Sequence, residues 1–174
     1  MRLKTLLCAL PLVCAAAAHA EDFTLPVPLV ANLNTPGAYS AGWGVTHLFA
    51  GAFTDTFNFA PITAAGMVSA SLVTIGFNDY DNIDFSSVTI NGQAFVLSPT
   101  GQIEIGQFAP AAIGAPLVMV VSGVVAPALA AGTVVSASYA GTVNVSPVPE
   151  LQTSALLAAG LIAIGFIAQR RRTD

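Results

Sequence analysis

The segment Phe53-Thr54-Asp55-Thr56-Phe57-Asn58-Phe59 alternates aromatic and polar residues with a period of two, the pattern of a strand that buries one face. The aromatics are read into the core and Asp55 toward water, where a local hydrogen-bonding or ion-binding role stays open. Comparable segments follow at regular intervals. Val68 to Phe77 is rich in β-branched residues, and Phe85 to Ile90 runs through Asn91-Gly92 into Gln93 to Leu97. Asn-Gly between two such runs predicts a hairpin with a type I′ turn, because that turn needs positive φ at both central positions. Gln102 to Phe108, Leu117 to Val125 and Thr133 to Val145 are further strands. In the last, Val135, Ala137, Tyr139 and Gly141 alternate with Ser136, Ser138, Ala140 and Thr142, so one face is expected in water. The Ala-rich stretches Ala109 to Ala115 and Ala126 to Ala131 are broken by Pro or Gly and are read as loops. Upstream, Leu25-Pro26-Val27-Pro28 is extended and Asn34-Thr35-Pro36-Gly37 forms a turn. Short strands joined by Gly, Pro, Asn and Asp turns, without an internal amphipathic helix, predict an all-β fold. A single β-sandwich of jelly-roll or Ig-like type fits that pattern.

The two ends read differently. Arg2 and Lys4 precede an apolar run from Leu6 to Ala18, and Ala18-His19-Ala20 offers small residues at the −3 and −1 positions of a signal-peptidase site. Cleavage is expected after Ala20; an uncleaved anchor is the alternative. At the other end Leu151 to Ala168 is apolar apart from Gln152, Thr153 and Ser154, about 27 Å of helix against a hydrocarbon core of about 30 Å. Arg170, Arg171 and Arg172 then act as a cytoplasmic stop-transfer cluster and leave the preceding chain outside. The expected organisation is a signal peptide over 1–20, an extracellular domain over 21–147 and a tail over 148–174.

Charge narrows the possible partners. All five Lys and Arg residues of the 174-residue chain lie at its ends, so Glu21 to Pro149 contains none. Glu21, Asp22, Asp55, Asp79, Asp81, Asp84 and Glu104 give that region a formal charge of −7 with His47 neutral. A surface without cations cannot neutralise phosphates, which excludes nucleic acid as a partner and leaves neutral glycans and divalent cations. The only cysteines, Cys8 and Cys14, fall in the N-terminal apolar run, so the exported part has no thiol for catalysis, zinc or disulfides. Cys14 is preceded by Val13 where lipid attachment wants a small residue.

Val148-Pro149-Glu150, an apolar stretch and a terminal Arg cluster together resemble a PEP-CTERM sorting tail, although Leu151 stands where Pro is usual. Phe53, Asp55 and Phe57 resemble the motif of the FxDxF subgroup of those proteins. The resemblance implies recognition and cleavage by an exosortase-type membrane enzyme, transient inner-membrane anchoring and a final place at the cell surface or outside. It also implies association with exopolysaccharide and a biofilm matrix, in a structural or adhesive role. A plain C-terminal anchor is the alternative for the tail.

Candidate chemistry is sparse. Asn78-Asp79-Tyr80-Asp81-Asn82-Ile83-Asp84 gathers oxygen donors, so Asp79, Asp81 and Asp84 are candidate calcium ligands, but the EF-hand Gly and terminal Glu are missing. A solvated turn is the competing reading. His47 is the sole candidate imidazole base, and no Ser sits in a Gly-x-Ser-x-Gly elbow. Asp55 with Glu104 or Asp84 could form a glycosidase pair, without supporting Arg or Lys. Trp43, between Gly42 and Gly44, is read as core, with sugar stacking by Trp43 or Tyr80 as the alternative. No catalytic set emerges: the chain is expected not to be an enzyme, and a carbohydrate-binding or carbohydrate-active protein is the rival function.

Overall fold

The computed structural model describes residues 19–62, 65–148, 156–162 and 164. Its strands are β1 (Thr24–Pro28), β2 (Val30–Ala31), β3 (Tyr39–Phe49), β4 (Gly51–Ala60), β5 (Gly66–Ile75) and β6 (Ile83–Ile90). They continue with β7 (Gln93–Ala94), β8 (Val96–Leu97), β9 (Ile103–Ile113), β10 (Leu117–Val125) and β11 (Val134–Pro147). The fold is all-β, in two sheets ordered β1-β4-β10-β6-β7 and β2-β3-β11-β5-β9-β8. All pairings are antiparallel except β1 with β4.

Strict alternation builds the core. In β4 and β10 every second residue is buried. Phe53, Phe57, Phe59, Phe85, Val88, Ile90, Met119 and Val121 of the first sheet share one buried cluster with Val45, Val68, Leu72, Phe108, Tyr139 and Val143 of the second. The opposite face of β11 carries Ser136, Ser138, Ala140 and Thr142 into solvent, as its alternation predicts.

Asn91 and Gly92 take positive φ of 46° and 80°, the expected turn. Asn91 reinforces it by accepting from Val118 N–H at 2.8 Å and donating to the carbonyls of Gly114 and Pro116. The return strand, however, is split: β7 stays beside β6, Phe95 turns into the core, and β8 pairs with β9 in the other sheet. A second correction concerns Ala109 to Ala115. β9 continues through it to Ile113, because the register slips between Val68 and Ala70 and sets Ala109 and Pro110 against a single residue of β5. A bulge on that strand accommodates a Pro that regular pairing would reject.

The expected signal peptide, except His19 and Ala20, lies outside the described residues, as do Pro149, Glu150 and Arg170 to Arg172. Of the apolar tail, 156–162 and 164 are helical with exposed side chains. Among the described residues no helix is long and apolar enough to cross a membrane.

Candidate functional site

The connection from β3 to β4 is a single residue, and it carries the chain from one sheet to the other. Ala50 is fully buried there, donating to the Thr133 carbonyl at 2.8 Å and accepting from Gly132 at 2.7 Å. The strands on either side therefore face each other across the core. Inward-pointing His47 of β3 and Asp55 of β4 meet, with His47 Nε2 at 3.0 Å from Asp55 Oδ2 and both side chains wholly buried. Tyr139 of β11, directly beside Val45 of β3, donates its hydroxyl to the same oxygen. Asp55 Oδ1 accepts from Phe23 N–H at 2.8 Å. One carboxylate thus ties together the N-terminal segment, both sheets and three strands.

Asp55 overturns the expectation that it faces water. Phe53, Asp55, Phe57 and Phe59 share one parity, so the alternation that buries the aromatics must bury the carboxylate with them. Burying a carboxylate is costly unless its lone pairs are occupied, and three donors occupy these. His47 Nε2 is the donor of its pair because an ionised carboxylate only accepts. Aromatic rings enclose the cluster: Phe53 lies 4.4 Å from the imidazole, Phe23 5.4 Å, and Phe85 meets Tyr139 edge-on at 5.5 Å. On the far side, His47 Nδ1 is 3.9 Å from Glu21 Oε2 and has no hydrogen-bond partner among the described residues.

Burial, and then the hydrogen bond and charge of Asp55, hold the Tyr139 phenol well above its ordinary value. The folded state therefore keeps a proton that the unfolded chain releases near pH 10 (about 10 for a free tyrosine). The stabilisation is complete below that pH and is lost as pH rises beyond it. In an alkaline titration followed at 295 nm, one of the three tyrosines should ionise only as the fold melts, and Tyr139→Phe should remove that component. Three independent ionisations in a still-folded protein would contradict the buried bond.

Four of the other carboxylates, Glu21, Asp22, Asp81 and Glu104, share one role. With no Lys or Arg available, they accept from backbone N–H groups. Glu21 accepts from Leu48 at 3.2 Å and Asp22 from Thr54 at 2.6 Å. Asp81 accepts from Phe77 at 2.8 Å and Asn78 at 2.7 Å. Glu104, also buried, accepts from Phe85 at 2.9 Å and Gly101 at 3.1 Å. The Glu104 carboxyl is raised from its ordinary value, chiefly by burial and further by neighbouring Asp84, against the lowering pull of those two N–H bonds. Its contribution to stability is present at acid pH and declines as pH rises through the raised value.

No family model matches the chain, and no curated protein does. A solved structure it resembles is that of Aeromonas hydrophila PliG, described as a periplasmic lysozyme inhibitor of g-type lysozyme. The match is 20% identical with a TM-score of 0.35, covers 72% of this chain and 100% of that one, and supports no transfer of properties.

The remaining sequence candidates fall in separate places. Phe53 and Phe57 flank Asp55 in the core, as their alternation requires. Asp79 is exposed, while Asp81 is turned to the amides of its own loop and Asp84 accepts from Asn82 at 2.8 Å. Among the described residues no three His, Cys, Asp or Glu side chains converge as a metal site. The glycosidase pair of Asp55 with Glu104 is not assembled, since Glu104 sits with Asp84 and two amides. Trp43 is half-buried against Phe57 at 4.2 Å and its Nε1 is enclosed, so it offers no stacking platform; Tyr80 is 56% exposed. Surface hollows of about 470 and 400 Å³ lie on the outer face of the second sheet, lined by residues such as Ser69, Ser71, Gln107 and Thr142, and do not reach the buried cluster.

Proposed function

We propose that the chain is an exported, non-enzymatic structural protein of the cell surface or extracellular matrix, its domain a β-sandwich. A signal peptide ending at Ala20 delivers it, and a PEP-CTERM-like tail anchors it in the inner membrane until an exosortase-type enzyme cuts near Glu150. The observation that carries this reading is the fate of the carboxylates. Asp55, the acid of the F-x-D-x-F segment, is spent inside the core on His47, Tyr139 and Phe23, and Glu21, Asp22, Asp81 and Glu104 are spent on backbone N–H groups. Groups committed in this way hold strands together and are not free to move protons onto a substrate. The outer faces present hydroxyl and amide groups together with aliphatic side chains such as Val73, Ile75, Val96, Ile103 and Ile105, a surface suited to packing within an uncharged polymer.

Intact-mass measurement of the extracellular form tests the reading. Trypsin has no site between Glu21 and Pro149, so the measurement must be made on undigested protein. The expected species begins at Glu21 and ends near Glu150. Finding the chain stably in the inner membrane with Arg170 to Arg172 still attached would overturn the sorting part.

A further inference from the structure

The strand axes divide the domain into two unlike poles. At one lie the β3–β4 connection, the 76–82 loop and the start of the described chain, and with them Glu21, Asp22, Asp79, Asp81 and Asp84. At the other lie the turns 32–38, 91–92 and 114–116, none of which contains a charged residue. β11 leaves from this second pole: Pro147 is paired with Gly66 there and packs against the 32–38 turn, where a Cβ on Gly37 would stand 3.2 Å from the Pro147 ring. That turn carries Leu33, 95% exposed; Val30 of the preceding β2 is 67% exposed and Val148, next to Pro147, is 39% exposed. A leucine projecting almost completely into water from an uncharged turn has no partner among the described residues.

Chain length says what faces it. Leu151, the first residue of the apolar tail, is three residues beyond Val148, which spans at most about 10 Å. The headgroup layer on each side of a bilayer is itself roughly 5–8 Å thick. A tail that inserts from Leu151 therefore holds this pole against the headgroups. The five carboxylates of the opposite pole are then kept away from a surface that they would find repulsive when anionic.

We propose that the 32–38 turn is a membrane contact, with Leu33 seated in the headgroup–acyl boundary while the tail is in place. The inference rests on the tail entering the bilayer. The contact is apolar, since the pole has no cation with which to select anionic lipid, and it orients the acidic pole outward.

The test uses the processed chain from Glu21 to Asp174, which has no cysteine, in phosphatidylcholine vesicles containing headgroup spin-labelled lipid. A fluorophore is attached at Leu33→Cys, at Thr35→Cys on the same turn, or at Asp79→Cys on the opposite pole. Strong quenching at positions 33 and 35, little at 79, and no dependence on added anionic lipid are expected. Co-flotation with vesicles but equally weak quenching at all three positions would overturn the contact and leave the tail reading intact. Failure to co-float would overturn both.

Discussion

Asp55→Ala should lower the free energy of unfolding by about 3–5 kcal/mol, a large part of the roughly 5–15 kcal/mol typical of a domain this size. The side chain lost is small, and the cost lies in what it leaves behind. Tyr139 O–H, His47 Nε2 and Phe23 N–H would remain in an aromatic enclosure with nothing to bond. Asp55→Asn should cost clearly less, because an amide keeps an acceptor for Phe23 N–H and can donate to His47 in its other tautomer. Urea unfolding of the two variants checks the order. A loss under about 1 kcal/mol for Asp55→Ala would mean that water reaches the cluster and satisfies the stranded groups.

The strands were legible because their chemistry is local. Alternation located β4 and β11, runs of β-branched residues located β5 and β10, and Asn91-Gly92 fixed a turn, since all depend on neighbouring residues alone. The sheet change at Phe95 and the bulge at Ala109-Pro110 were not, because each is decided by a partner strand distant in sequence. The burial of Asp55 was legible in principle: its parity with Phe53 and Phe57 placed it inward, and only the habit of assigning acids to solvent hid it. Its partners were not. Tyr139 is 84 residues away and Phe23 is 32, and nothing in either local sequence marks it as a donor to a buried carboxylate. The missing cations were the available clue, for a carboxylate buried in a region without Lys or Arg must be satisfied by hydroxyl, imidazole, amide or backbone N–H groups.

Phe57→Ala should be as damaging as the loss of Asp55, at about 3–5 kcal/mol, for a different reason. The ring is completely buried on the face that carries Asp55, between Trp43 at 4.2 Å and the edge of Tyr139 at 6.3 Å. Its neighbours are anchored and cannot close the gap. Trp43 lies opposite Gly141 in the β3–β11 ladder, where a Cβ would come within 2.6 Å of the indole, and Tyr139 is held by Asp55. A cavity that persists is one whose full transfer and packing loss is felt. Because Trp43 is the sole tryptophan and its buried Nε1 lacks a partner among the described residues, water entering the space would bond to it and shift its emission to the red. The expected result is a lowered urea midpoint with an unchanged slope, together with that shift in the folded state. A small stability loss with unaltered emission would show that the ring does not lie between Trp43 and Tyr139, and the F-x-D-x-F segment could then not be a device for packing the core.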